Sequence, residues 1–544
     1  MVRPVSRGGM MAAVSIFNDV IGPVMRGPSS SHCAAALRIG RIARDLLGGT
    51  PDTVRVEFDR GGSLPTTHQS QGSDMGLCGG LLGWDCTADG LPESPAALAA
   101  AGCRLEFATV DVGDPHPATY RLALAGSGRR HTLRAISTGG GMIEVVDIDG
   151  FSLTLAGDAH ETLVWHADGA VAERIRARLA AAADIDAVRL HARGAAAGGG
   201  WLVQASAAGF VADDGLGTAP GDGTLVRRLA PVLPVPTRRS ARVPFSTAAA
   251  LLAADAGRGL PLSDHAIDYE CQRGTLSAGR VLEMMDQIVR ILRRSIAQGI
   301  AGTDHADRVL GHQSGEFARL LAAGRLLDGG ALDRTVLYVT ALMEVKSALG
   351  VIVAMPTAGA CAALPGVVIA VAERMGKGDD EIARALLAAG LVGVFIATAW
   401  TFAAEVGGCQ AEGGAAAAMA AAALVTLAGG PTPRALAAAS MALQSMIGLV
   451  CDPVANRVEA PCLGKNVMAA ANALACANMA LAGFDEVIPL DEVIETARRV
   501  GNQMPRELRC TALGGLSITP TSLAIQARLE AARAGCGKAG CGCG

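Results

Sequence analysis

ALLAAGLVGVFIATAWTFAA, residues 385–404, contains no charged side chain and has the length to cross a bilayer. Its reading decides whether the chain is built for lipid or for water. Arg384 and Glu405 bound it, Ala and Gly are frequent within it, and the neighbouring segments are alanine-rich rather than leucine-rich. That composition suits close helix–helix packing, so the stretch reads as a helix buried in a protein core. Around it, residues 246–530 carry helical spacing almost throughout, interrupted by PTAGACAALPG, EVGGCQAEGG, CDPVANRVEAPC and CTALGGLSITPT. Chemistry in a helical domain tends to sit at such breaks, where helix ends expose unpaired backbone groups. The tail GCGKAGCGCG is too rich in glycine to be expected as regular helix.

Upstream the pattern changes. TVRVEFD (53–59), CRLEFATVDV (103–112), TYRLALAG (119–126) and HTLRAIST (131–138) read as strands, the last two paired through GSGRR. CAAALRIGRIARDLLGG (33–49) has helical spacing and ends in glycines. Residues 156–245 follow a β-α-β-β order, which resembles a small regulatory ACT-type module without a ligand motif, and LAPVLPVPTRRSARVP (229–244) reads as a linker. The expected fold class is therefore multidomain: an N-terminal α+β domain (1–155), a small ββα-type middle module (156–245) and a C-terminal, mostly α-helical domain (246–544).

The net charge of −4 and the lack of a Lys/Arg run argue against a nucleic-acid partner. MVRPVSRGGMMAAVSIF lacks the apolar centre of a signal peptide, so the expectation is a cytoplasmic protein without a membrane anchor. Fourteen cysteines spread unevenly over such a chain do not suggest a disulfide framework. Cys78, Cys86 and Cys103 read as core residues. Cys409, Cys451 and Cys462 instead fall at helix breaks. Without a CxxC pair among them a zinc ribbon is disfavoured. Two readings stay open on spacing alone: small hydrophobes that happen to lie near turns, or thiolates gathered around an iron–sulfur cluster. Three thiolates on a four-iron cluster would leave one iron open as a Lewis acid, which suits dehydration. Pro453 and Pro461 are expected to keep Cys451 and Cys462 out of regular helix.

An ordered series of motifs resembles the bacterial iron–sulfur L-serine dehydratases (L-serine ammonia-lyases). GPSSSH (27–32), GGSLPTTHQSQGSD (61–74) and ISTGGGMIEVVDIDG (136–150) are similar to blocks of that family's β domain. MPTAGACAALPG (355–366), GGCQAEGG (407–414), CDPVANRVEAPC (451–462) and RCTALGGLSITPT (509–521) are similar to blocks of its α domain. The resemblance implies a single-chain β–α fusion. It further implies a [4Fe–4S] cluster on Cys409, Cys451 and Cys462, sensitivity to oxygen, and conversion of L-serine to pyruvate and ammonia without pyridoxal phosphate. Some family members use a cysteine near the chain end as a displaceable fourth ligand; here Cys536, Cys541 or Cys543 is the candidate, Cys543 first. A homo-oligomer, a dimer first, acting on a small amino acid is the implied assembly.

Within that resemblance, His32 is expected beside the substrate α-carbon as base or proton shuttle, titrating near working pH. Ser29, Ser30 and Ser31 are expected as N-caps of the following helix, with hydroxyls and free N–H groups available to substrate. Ser30 and Ser31 are taken with His32 as catalytic, and Ser29 as substrate-binding. Thr357, Ala358 and Gly359 form the second expected substrate segment, small enough for close approach. Gln410 and Asp452 could hydrogen-bond the ligand sulfurs or fix their loops. Gln71 stands where many members have a histidine, with His68 three residues earlier, so threonine or another β-substituted amino acid stays an alternative substrate. A non-enzymatic iron sensor or electron carrier is the alternative of a different class.

Overall fold

The computed structural model describes residues 13–194, 198–218, 222–238 and 241–538, with the side chains of 533–538 left aside. The chain divides into two compact units: unit 1 is mainly 31–242, and unit 2 comprises 14–30, 243–271 and 276 onward. N-terminal sheets are followed by a helical C-terminal region.

Unit 1 holds two sheets. The larger runs in the order Arg104–Val110, Thr53–Asp59, Thr119–Gly126, Arg129–Gly139, Met142–Ile148, Phe151–Leu155. The first pair is parallel and the rest are antiparallel. Alternation puts Val54, Val56, Leu122, Leu124 and Leu133 on one face, where helix Ala35–Leu47 lays Ile39, Ile42 and Leu46. That helix meets Ser73–Leu82 at backbone distance: a Cβ on Gly80 would stand 2.1 Å from the Leu37 carbonyl oxygen, so only glycine fits the crossing. The hairpin turn is tighter than GSGRR suggests. Ser127 and Gly128 both take positive φ (51° and 72°), which leaves Arg129 and Arg130 free to pair in the strand. The smaller sheet runs Leu225–Leu229, His160–His166, Trp201–Ala207, Ile185–Ala192, all antiparallel, with helix Gly169–Ala180 supplying Ile175 and Leu179 to its core. Cys78, Cys86 and Cys103 are buried free thiols.

Unit 2 is built around Ala415–Leu427, an alanine-rich helix buried at every position but Thr426. Helices Ala363–Arg374, Asp379–Ala399, Thr432–Gln444 and Cys462–Leu481 pack against it. Small side chains on all of them let the axes approach closely. The charge-free stretch begins inside helix Asp379–Ala399, buried from Ala385 through Ile396, and its last five residues run beyond the helix; this is the one helix, among the described residues, long and apolar enough to cross a membrane. Arg384 bounds the charge-free stretch but not the helix. The helix starts five residues earlier, because Glu381 accepts the Gly378 N–H and acidic residues favour its first turn. A short antiparallel pair, Val24–Arg26 with Val351–Val353, brings the 24–30 segment to the strand that leads into Met355–Gly359.

The tail differs from expectation. The last helix, Pro520–Lys538, continues through Gly535 and Gly537.

Candidate active site in the helical unit

The cysteines lie on three separate segments. Cys409 follows the short helix Ala404–Gly407 and precedes a single π-turn, Gln410–Gly414, so the expected irregular break is partly helical. Gln410 is buried and fixes the loops: Nε2 donates to the Ala497 carbonyl (3.1 Å) and Oε1 accepts the Gly448 N–H (2.9 Å). Cys451 lies on an isolated parallel bridge with Arg509; its N–H donates to the Leu508 carbonyl (2.9 Å), and its own carbonyl accepts the Cys510 N–H (3.2 Å). Cys462 corrects the expectation set by Pro461. It is the first residue of helix Cys462–Leu481, since proline lacks only a donor that a helix start leaves unpaired.

These residues gather. The Cys409 and Cys451 sulfurs and a Glu412 carboxylate oxygen all lie within 4.8 Å of one another. Cys510 packs against Cys409 and Cys451. Cys462 is outside that tight group but near enough for its thiol to feel the charges of Cys409, Lys346, Glu412 and Lys465. Hydrogen bonds from Cys409 and Cys510, and then burial, hold the Cys451 thiol well above its ordinary pKa. Burial, then Cys409, does the same to Cys462. Adjacent buried thiols cannot all ionise in the bare protein, and a cation bound among them would reverse that balance. A cluster of sulfurs with one carboxylate is a donor set suited to a thiophilic metal group. Lys465 braces the set: Nζ donates to Asp452 Oδ1 (2.7 Å) and the Val450 carbonyl (2.7 Å), and lies 3.7 Å from Cys409 Sγ. Asp452 also accepts the Leu516 N–H (3.0 Å), so it fixes the loop rather than reaching the sulfurs.

The 357–359 segment belongs to the same place. Thr357 Oγ1 donates to Glu412 Oε1 (2.6 Å) and accepts the Ala360 N–H (3.2 Å). The Ala358 N–H donates to Ser30 Oγ (3.3 Å). A Cβ on Gly359 would stand 3.0 Å from Glu412 Oε1. Asn466 joins this segment to the third cysteine, donating to the carbonyls of Gly359 (2.8 Å) and Cys462 (2.9 Å). Burial raises the Glu412 carboxyl to about 7, against the lowering pull of the Thr357 hydrogen bond.

Ser30–Ala34 forms a π-turn, and the N-cap of the following helix is Ala34, without a side-chain cap. Ser30 and Ser31 therefore lie within the π-turn and do not cap helix Ala35–Leu47. Ser31 and His32 belong to unit 1. The Ser31 carbonyl accepts Ser137 Oγ (2.8 Å), and His32 Nε2 lies 2.9 Å from Thr67 Oγ1. Burial, then the charge of His68, lowers His32 to about 4, so it does not titrate near neutrality as expected. His68 pairs with Asp74 (2.6 Å), and Gln71 is buried. Cys541, Cys543 and the Cys536 side chain lie outside the described residues.

Cys510, Glu412 and Lys346, like Lys465 and Asn466, were not singled out from the sequence. Cys510 sits in a quoted motif, but only the bridge to Cys451 reveals its partner. Its φ of 58° is a left-handed conformation rare for cysteine, of the kind that collects at functional sites. Glu412 and Lys346 occupy helical segments whose pattern carries no signal of a meeting.

A family model for the serine dehydratase alpha chain matches residues 257–517. An alpha chain of Bacillus subtilis (strain 168), described as a probable L-serine dehydratase, is 36% identical over 268 residues, 49% of this chain and 89% of its own length. The corresponding beta chain of the same organism is 40% identical over 154 residues, 28% of this chain and 69% of that one. L-serine dehydratase 2 of Escherichia coli (strain K12) is 29% identical over 531 residues, 93% of this chain and 98% of that one.

Proposed function

We propose that this chain, which belongs to the L-serine dehydratase family, deaminates L-serine to pyruvate and ammonia at the thiol site of unit 2. In this reaction the substrate loses its α-proton and its β-hydroxyl as water. The enamine tautomerises to an imine, and hydrolysis of the imine releases ammonia. The observation that carries the reading is the convergence of two cysteine sulfurs and a carboxylate within 4.8 Å, beside the Thr357–Gly359 segment.

Cys409, Cys451 and Cys462 are the residues we assign to hold a [4Fe–4S] cluster, which would supply a Lewis acid for the departing hydroxyl. Cys510, in contact with Cys451, joins the tail cysteines as a candidate fourth thiol. Thr357 holds Glu412 in place, and glycine at 359 keeps that carboxylate uncovered. Ser29, Thr357, Ala358 and Gly359 are assigned to substrate binding, and Ser30 to the catalytic set with Ser31 and His32. His32 is assigned, on its chemistry, to accept the α-proton with Ser31 beside it in the chain. Its lowered pKa keeps the imidazole neutral and able to accept at working pH.

Anaerobic purification followed by iron and sulfide analysis and a pyruvate assay tests the proposal. About four irons and four sulfides per chain, with pyruvate formed from L-serine, are expected. Iron-poor protein with full activity would remove the cluster. Iron-replete protein that acts on threonine but not serine would move the substrate.

A further inference from the structure

Helix Ala331–Ser347 buries two ionisable side chains near its C-terminal end, and they are treated differently. Glu344 accepts the N–H groups of Gln313 (2.6 Å) and Ser314 (3.1 Å) and the Ser314 hydroxyl (2.5 Å). Lys346, two residues on, is 0% exposed, and its Nζ has no hydrogen-bond partner or ion pair among the described residues. Residues two apart on a helix do not face each other, so Glu344 cannot serve it. A buried ammonium without a partner is among the most costly arrangements a fold can keep. It is kept here in one particular place. Cys361, Cys462 and Glu412 all feel the charge of Lys346, which puts its side chain in the neighbourhood of the thiol site. Its backbone carbonyl and side-chain stem press on Gly27, the first residue of GPSSSH, where a Cβ would stand 2.1 Å from the carbonyl oxygen.

An amine and a carboxyl thus border the site without touching. Glu412 is held by Thr357 through Oε1 and forms no ion pair with Lys346. An α-amino acid carries the complementary pair, a carboxylate and an ammonium on one carbon. We propose that Lys346 is the anchor for the substrate α-carboxylate, with Glu412 facing the α-ammonium, so that the separated pair selects zwitterionic amino acids. The inference rests on the reading of this site as the one that binds the amino acid, and it assigns the carboxylate to a side chain of this chain.

The test replaces Lys346 by methionine, which keeps the stem and removes the charge, in the iron-loaded full chain. Binding of L-alanine, which has no hydroxyl to lose, is measured by calorimetry beside that of L-alaninamide. Lys346→Met is expected to weaken L-alanine binding about 100-fold, in the range for a buried, charge-assisted pair, and to abolish the preference for L-alanine over its amide. Its iron content is expected to be unchanged, and its unfolding temperature without ligand to be raised, because a bare buried charge has gone. Lys346→Gln is the second variant and is expected to recover part of the affinity through one remaining donor. Wild-type preference retained by both variants would overturn the assignment. So would loss of iron from both, which would make Lys346 part of the metal site. Failure of wild-type protein to form pyruvate from serine would instead strike the substrate reading, and the alanine measurement would still judge Lys346.

Discussion

The Glu161 network in the small sheet of unit 1 and the thiol site of unit 2 each bury ionisable groups, and they deal with them in opposite ways. Glu161 on strand His160–His166 is 5% exposed and stands directly across from Ser206 on strand Trp201–Ala207. Ser206 Oγ lies 2.9 Å from both of its carboxylate oxygens, and Gln204 Nε2 donates to it from the same strand (3.2 Å). Gln204 is held in turn by His191 (3.1 Å) and the Thr154 carbonyl (3.2 Å). Every polar atom of that network answers another, as a structural network must. Around Cys451 the thiols crowd one another, and Lys346 answers to no described residue. Burial alone does not mark a site; at Lys346 the lack of a partner coincides with gathered thiols.

The largest effect should come from breaking the unanswered side of this contrast. Cys451→Ala removes the sulfur that touches both Cys409 and Cys510. Turnover of serine is expected to fall at least about a thousand-fold, as when a metal site loses a ligand of its Lewis acid, and iron content to fall with it. The metal-free protein should unfold at nearly the same temperature as metal-free wild type, because a small buried thiol is replaced by a small buried methyl. A collapse of the fold in Cys451→Ala would instead make the cysteines structural, and the two regions would then differ less than argued.

The answered side predicts a stability effect with a definite pH signature. Burial raises Glu161 to about 8, against the lowering pull of Ser206 and Gln204. In the unfolded chain it ionises near its ordinary 4.5. Below that pH both states hold the proton, and Glu161 adds no pH dependence. From 4.5 to 8 only the unfolded state ionises, so stability declines as pH rises, and above 8 the loss is complete. Glu161→Gln is neutral throughout and escapes this decline. At pH 9 the variant should exceed wild type by on the order of 4 kcal/mol; below pH 4.5 the gain should vanish. Urea unfolding at pH 4, 7 and 9 reads it. A difference that is constant with pH would mean that Glu161 is already ionised in the fold, and serine dehydration should be unaffected in either case.

How much of this was legible in the sequence follows the same division. Helix Asp379–Ala399 could be read because a charge-free run flanked by alanine-rich segments has few other uses. The strands of unit 1 could be read from alternation, and the cysteines from their position at helix breaks. What escaped depends on where separate segments meet. Lys346 and Glu344 look alike in sequence, two ionisable residues in one helix; only Gln313 and Ser314, thirty-one and thirty residues from Glu344, tell them apart. Glu412 gains its neighbours from Thr357, fifty-five residues away. The π-turns at Ser30–Ala34 and Gln410–Gly414 escaped because one inserted residue leaves helical spacing nearly intact. Proline before Cys462 misled because it breaks a helix from within but begins one from the first turn.

The finest test asks whether the unit 1 network is as redundant as its geometry implies. Ser206→Ala removes the cross-strand hydroxyl, leaving Gln204 as the one remaining side-chain donor described for Glu161. A hydrogen bond to the carboxylate favours its charged form, so losing it should lift the Glu161 pKa further above 8. At pH 5 the folded carboxyl is protonated and can turn its own O–H to another acceptor, and the cost should be about 0.5–1 kcal/mol. Above pH 9 the wild-type carboxylate uses the hydroxyl fully, and the cost should grow to about 1.5–2 kcal/mol. A cost that is equal at both pH values would show that Ser206 serves packing alone, and Glu161 would then be less well answered than its two contacts suggest.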